Sequence, residues 1–284
     1  MTSPLSMTIR GKTLDFSKKT YVMGVLNVTP DSFSDGGKYF CLPDALRRVE
    51  EMLKEGADLI DVGGQSSRPG SLPIPEEEEI KRVIPVVREI ARRFDSLISV
   101  DTYRAEVARL CIEEGADMIN DISALRFDPA MVNVVAASGV GVVLMHMKGT
   151  PRDMQKNPHY DSVLDEISRF LDYQAKFAIS HGVAPEKIML DPGIGFGKNI
   201  THNLTIIRHL SRFRSLQFPI LIGPSRKAFI GRILSVEMDE RVEGSTAIVA
   251  YAITQGASMV RVHDVKEIVR VTRMIDAIIR GWGG

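Results

Sequence analysis

Asp101 in "SVDT", Asn120 in "MINDIS", Asp191 in "MLDPGIG" and Lys227 in "GPSRK" each stand at or just beyond the end of a short apolar run. Together they offer acceptors and donors of mixed sign. Such a set suits a flat polar heterocycle: a carboxylate accepts two parallel N–H bonds from an aminopyrimidinone edge, and a lysine donates to a carbonyl or ring nitrogen. A second set, Asn27, Ser67, Arg68, Arg261 and His263, is cationic and rich in donors. It suits a phosphate or diphosphate, for which arginine is a well-shaped fork. A heterocycle and a diphosphate bound side by side point to displacement of a pyrophosphate leaving group.

Each residue has a plainer use. A lone aspartate at a strand end is commonly a helix N-cap, and Asp61 and Asp121 fit that role. His146 in "VVLMHM" fits a packed, hydrogen-bonded core histidine, and the run Glu76–Glu79 a solvated helix start that favours the helix dipole. "GIGFGK" is glycine-rich but matches neither GxxxxGK[ST] nor GxGxxG. No HExxH or paired-cysteine spacing suggests zinc. The functional reading rests on coincidence: many polar ends must converge on one rim.

A repeated phrase supplies that rim. "EGADLIDVGG" (55–64), "EGADMINDIS" (114–123) and "QGASMVRVHD" (255–264) share one order: Gly-Ala-small, apolar run, polar group. The glycine can take the left-handed conformation that ends a helix, and the run reads as a buried strand. "YVMGVLNVT", "SLISVDT", "SGVGVVLMHM", "KIMLDPGIG" and "FPILIGPSRK" add further strands. Amphipathic stretches such as "LPDALRRVEEMLKEG", "EEEEIKRVIPVVREIARRF" and "DVKEIVRVTRMIDAII" separate them. Eight strands alternating with helices predict a parallel sheet closed as a (β/α)₈ TIM barrel. An open doubly wound sheet is the alternative. "TIRGKTLDF" lies outside the repeat and reads as a short N-terminal β-hairpin across the bottom of the barrel. No linker interrupts the chain, so residues 1–284 are expected to form one domain. In such a barrel, function gathers at the C-terminal ends of the strands.

Composition narrows the partners. Lys+Arg and Asp+Glu are both 36, so no bulk charge favours nucleic acid or an anionic membrane. The two cysteines, Cys41 and Cys111, lack CxxC spacing, which fits free thiols in a reducing cytoplasm. "MTSPLSMTIRGK" has no long apolar segment, so no leader is expected, and no run approaches a membrane span.

The segments "GVLNVTPDSFSDGG", "DVGGQSSRPG", "SVDT", "GADMINDIS", "LDPGIGFGK", "SRKAFIG" and "RVHDV", in this order, resemble those of the dihydropteroate synthase family. The resemblance runs from Val22 to the last helix. It implies condensation of 6-hydroxymethyl-7,8-dihydropterin pyrophosphate with p-aminobenzoate, giving 7,8-dihydropteroate and pyrophosphate, a folate-synthesis step that sulfonamides inhibit. It implies that Asp101, Asn120, Asp191 and Lys227 hold the pterin. Ser67, Arg68, Arg261, His263 and Asn27 would hold the diphosphate, with Asn27 also on Mg²⁺. Phe33, Pro69, Phe196, Ser225 and the stem of Lys227 would border the p-aminobenzoate pocket. Phe33 belongs to the loop after the first barrel strand and is expected to close over the site. Asp35, on the same loop, would offset a developing pterin cation, or serve only as a turn carboxylate. The family is usually a homodimer. Gln65 and Ser67 stand where the family usually has Glu and Thr, and Ile194 where Phe is common. Two other readings share parts of the pattern: a catalytically silent pterin-binding paralogue, and a pterin-dependent methyltransferase domain, which would need neither the diphosphate clamp nor "SRK".

Overall fold

The computed structural model describes residues 6–29 and 41–281. The chain opens with a hairpin of β1 (Ser6–Ile9) and β2 (Lys12–Asp15), paired Ile9 to Lys12 across Arg10–Gly11. Both turn residues have positive φ, 46° and 71°, the combination that lets a two-residue turn follow strand twist. Eight strands follow: β3 (Tyr21–Asn27), β4 (Leu59–Gly63), β5 (Leu97–Asp101), β6 (Met118–Asp121), β7 (Gly141–Met145), β8 (Ile188–Asp191), β9 (Leu221–Ile222) and β10 (Met259–Val262). All their pairings are parallel, in the order β8-β7-β6-β5-β4-β3-β10-β9. The sheet closes where Leu190 bridges Ile220 and its N–H donates to Pro219 O. That closure selects the barrel over the open sheet.

Around the strands lie α1 (Leu42–Glu55), α2 (Glu76–Arg93), α3 (Ala105–Glu113), α4 (Met131–Ser138), α5 (Val163–Ser180), α6 (Ile200–Arg208), α8 (Val242–Thr254) and α9 (Val265–Arg280), with a short extra helix, α7 (Ala228–Leu234), between β9 and α8.

The repeated phrase has a structural reason. Gly56, Gly115 and Gly256 take φ of 104°, 108° and 95° just past α1, α3 and α8. The following alanine N–H groups (Ala57, Ala116, Ala257) donate back to Met52, Cys111 and Ala252, closing each helix as glycine-ended caps do. The third residue then ties the incoming strand to its neighbour. The N–H groups of Asp58, Asp117 and Ser258 donate to Val22, Ile98 and Ile220 carbonyls. Their side chains accept the N–H of those same residues, at 2.9, 2.8 and 3.3 Å. One tripeptide thus ends a helix and sets the strand that follows.

Inward side chains alternate along each strand, and their character changes with height. At the bottom, Met23, Leu59, Leu97, Met118, Val143, Met189, Leu221 and Met259 form one buried cluster with Met7, Ile9, Leu14 and Phe16 of the hairpin. The hairpin therefore plugs the barrel from below, as its sequence suggests. Two residues further along, Asp61 follows Leu59, Ser99 follows Leu97, Asn120 follows Met118, Asp191 follows Met189 and Arg261 follows Met259. The interior is a hydrocarbon floor carrying a polar layer.

Candidate active site

Arg261 is the hub of that polar layer. Its Nε donates to Asp61 Oδ2 at 2.5 Å and its Nη2 to Asp101 Oδ2 at 2.7 Å. Asn120 Nδ2 donates to the same Asp61 oxygen at 3.2 Å. Asp61 is fully buried, and its Oδ1 has no partner among the described residues. Burial pushes the Asp101 carboxyl up to about 7, with Arg261 opposing and Asp61 reinforcing the shift. Burial also works against the Arg261 charge, but the two carboxylates outweigh it and hold that guanidinium above its ordinary pKa. The register continues across the rim: Asn27 lies beside Gly63, Gly63 beside Asp101, and Asp101 beside Asn120. With no side chain at Gly63, that inward position stays open next to Asp101.

The opposite wall is built from β8, β9 and β10. Burial raises Asp191 to about 6, against the pull of the Gly193 N–H that it accepts at 2.7 Å and of Lys227. Burial and Arg261 lower Lys227 to about 8, while Asp191 and Asp101 resist. Its Nζ lies 4.3 Å from the centre of the Phe196 ring. A Cβ at Gly195 would come within 3.1 Å of Lys227 Cδ, so the glycine gives the lysine stem its path. Ser225 Oγ accepts the His263 N–H at 3.1 Å and lies 3.0 Å from its Nδ1. Burial, Arg261 and Arg226 lower His263 to about 3, so it is a neutral hydrogen-bonding group here and not the cation that the sequence suggests. Arg226 takes a left-handed φ of 56° between Ser225 and Lys227, and its guanidinium grips Asp264 with bonds of 2.5 and 3.1 Å.

Asp101, Asn120, Arg261, Asp191, Lys227, Phe196, Ser225 and His263 therefore meet at one mouth. Arg261 does more than the sequence suggests: it is bonded to Asp61 and Asp101 in the polar layer that also holds Asn120. Ser67, Arg68 and Pro69 lie on the β4–α2 loop, where Arg68 and Pro69 are exposed. Among the described residues they make no bond to Arg261 or His263. Asn27 ends β3 at the rim, half-buried. Phe33 and Asp35 lie outside the described residues.

The plainer readings hold for some residues and fail for others. Asp121 caps no helix, since α4 begins only at Met131; it accepts from Ser123 N, Ser123 Oγ and Leu125 N at 2.7, 2.7 and 2.8 Å and closes a turn in which Ala124 and Leu125 have positive φ. His146 packs edge-on to Phe170 and meets Lys198 Nζ through Nδ1 at 3.0 Å. Buried Lys198, lowered by that burial to about 7, also reaches Phe196 O and His146 O at 2.9 and 3.3 Å. Three acceptors match the three N–H groups of an ammonium. Glu79 is buried against Arg104 at 2.9 Å, unlike its solvated neighbours Glu76 and Glu77. Asp61 is the clear omission: it is no helix cap but the buried anchor of Arg261. Its signal was the alternation Leu59, Asp61, Gly63, which turns it inward one layer below Asp101.

A barrel whose mouth joins a polar floor to a lysine laid over an aromatic ring has the make-up of a heterocycle-binding enzyme. The family model described as pterin binding enzyme matches residues 23–263. Dihydropteroate synthase of Escherichia coli is 46% identical over 275 residues, 97% of each chain. Among solved structures, Yersinia pestis dihydropteroate synthase in a sulfonamide drug complex superposes with a TM-score of 0.91 at 46% identity, covering 96% of this chain and 98% of that one. The Xanthomonas albilineans enzyme with 4-aminobenzoic acid gives 0.90 at 42% identity, covering 98% of each chain. The chain belongs to the dihydropteroate synthase family.

Proposed function

We propose that this chain condenses 6-hydroxymethyl-7,8-dihydropterin pyrophosphate with p-aminobenzoate, releasing pyrophosphate. The observation that carries the reading is the joined floor of Asp61, Asp101, Asn120 and Arg261, facing Asp191 and Lys227 at one mouth. Ionised Asp191 and Asp101 accept ring N–H groups, Asn120 adds a neutral amide, and the Lys227 ammonium donates to the ring carbonyl or nitrogen. Arg261 keeps Asp61 through Nε. When a ring N–H takes over Asp101, Nη2 is released towards the diphosphate, joining Arg68 and neutral His263. The C–O bond breaks first and its electron pair leaves with pyrophosphate. The arylamine nitrogen then attacks the conjugated methylene cation and loses a proton. No covalent nucleophile is needed. Asp35 would offset the cation, and Phe33 would wall off water that could trap it.

The residues fit Mg²⁺ delivered with the diphosphate rather than held in a protein cage. No group of three or more His, Cys, Asp or Glu among the described residues could hold a metal, and Mg²⁺ characteristically uses few protein oxygens plus substrate phosphates. Asn27 would supply the protein oxygen. When bound, the ion would neutralise charge on the leaving group.

A homodimer accords with the apolar exposure of α7–α9: Ile233, Leu234, Tyr251, Met274 and Ile278 all face solvent in the single chain, and such surfaces commonly mark contacts. A cytoplasmic setting accords with free Cys41 and Cys111. Among the described residues no helix is long and apolar enough to cross a membrane.

The test is pyrophosphate release by purified protein given both substrates, with and without Mg²⁺. Amine-dependent release supports the reading. Its absence rejects the reading in favour of a silent pterin-binding paralogue.

A further inference from the structure

The connection between β7 and α5 carries none of the residues assigned to the site above, yet it touches the two loops that carry Pro69 and Phe196, the walls expected for the arylamine. On one side, Pro151 O accepts the N–H of Gly70 at 2.9 Å, next to Pro69. On the other, the Gln155 side-chain amide donates to Gly195 O. Gly195 is the residue over which the Lys227 stem runs, and Phe196 follows it.

The turn between these two contacts is braced internally. Asp153 Oδ1 accepts from Thr150 N and Thr150 Oγ1 at 2.7 and 2.8 Å, and Met154 N donates to Thr150 O at 2.7 Å. Met154 is buried in the same apolar cluster as Phe196. The strand end before the turn is pressed against the β8–α6 loop: a Cβ at Gly193 or Gly197 would meet His146 O at 1.9 Å or Lys148 O at 2.3 Å. Position therefore passes from β7 through the turn to both walls.

We infer that the 149–157 turn is a spacer setting the distance between the Pro69 and Phe196 walls, with Gln155 as a positioning residue for the arylamine. The inference rests on the proposed condensation and adds a specificity element to it. Gln155 is exposed and distant from the Asp61–Asp101–Asn120 floor in the hydrogen-bond network. Its loss removes one tether of Gly195, whose N–H still donates to Asn203 Oδ1 at 2.8 Å, and so loosens the Phe196 ring beside it, while Lys227 stays held by the charges of Asp191 and Asp101 and the floor keeps its own bonds. The arylamine should feel the change and the pterin should not.

The experiment measures steady-state kinetics for both substrates, with melting temperatures, in wild type, Gln155→Ala and Gln155→Glu. Gln155→Ala is expected to raise the KM for p-aminobenzoate about three- to tenfold, the effect of one lost hydrogen bond. The KM for the pterin pyrophosphate should stay within about twofold, because the floor bonds remain. Gln155→Glu keeps the shape but sets a carboxylate against a carbonyl, so its KM for p-aminobenzoate should rise further. A surface residue without this role would leave both variants like wild type, which overturns the inference. So does a parallel rise in both KM values with a lowered melting temperature, which marks a merely structural role. A wild type without amine-dependent release instead rejects the functional reading, and titration of p-aminobenzoate binding to the three proteins then decides on the spacer separately.

Discussion

The lower and upper halves of the barrel interior use the same strands and the same alternation, but solve opposite problems. Below, Leu59, Leu97, Met118, Met189 and Met259 pack against the hairpin in a layer without polar side chains. Above, the next inward positions are Asp61, Ser99, Asn120, Asp191 and Arg261. The lower layer gains stability from removing hydrocarbon from water. The upper one buries charge, which costs free energy unless partners compensate. The raised carboxyls of Asp101 and Asp191 and the lowered ammonium of Lys227 record that cost. Stability is concentrated in the floor and function in the layer it carries.

Substitutions should separate the two. Lys227→Ala is expected to lower kcat/KM by about 10³-fold, the scale for losing a preorganised polar contact to the reacting ligand, with an unchanged melting temperature. Near-normal turnover would show that the polar layer does not carry the chemistry. Leu59→Ala should do the reverse, costing about 2–5 kcal/mol of stability while the folded fraction keeps its kinetics; denaturant titration and active-site-normalised rates check this. Asp61→Asn keeps the shape but weakens the grip on Arg261. It should raise the KM for the pterin pyrophosphate about tenfold to a hundredfold, as for a broken buried charged hydrogen bond, with p-aminobenzoate little affected. An equal loss for both substrates would make Asp61 structural.

A smaller effect follows from pH. Burial raises Asp101 to about 7 and Asp191 to about 6. Between the usual carboxylate pKa and these values, the folded chain holds protons that the unfolded chain has released. These two groups therefore favour the folded state most at low pH, and that advantage declines as pH rises through the window. His263, lowered to about 3, contributes the opposite slope up to its ordinary pKa and offsets part of that decline. Ligand binding isolates the carboxylates, since only their ionised forms accept ring N–H groups. Affinity for diphosphate-free pterin should fall by up to about tenfold per pH unit for each group titrated as pH drops through 7 and 6. A flat profile between pH 8 and pH 5 would show that these groups do not contact the ring.

Most of this architecture was legible in the sequence because it repeats. The Gly-Ala-small phrase announced helix end and strand start three times over, and the apolar runs supplied the rest; the contact that its third residue makes with the neighbouring strand did not show in the sequence. The polar ends at Asp101, Asn120, Asp191 and Lys227 were legible because each stands at or just past a strand's end. Asp61 was not, because an aspartate near the end of an apolar run reads as a helix cap until its register with Ser99 is known. The pairing of Arg261 with Asp61 and Asp101 joins positions 200 and 160 residues apart, and no local pattern encodes such a contact. Glu79 was misread for the same reason: its partner Arg104 arrives from another loop. The neutrality of His263 depends on burial and on the charges beside it, which spacing does not report.

The most direct test of the two-layer account is calorimetric titration of diphosphate-free 6-hydroxymethylpterin into wild type and Asp191→Asn at pH 8. The substitution keeps the side-chain shape and lies above the hydrocarbon floor. Binding is expected to weaken about a hundredfold, the loss of a charged acceptor for ring N–H groups, with the melting temperature unchanged. Affinity within about threefold of wild type, below one hydrogen bond's worth, would show that the polar layer is not the pterin seat.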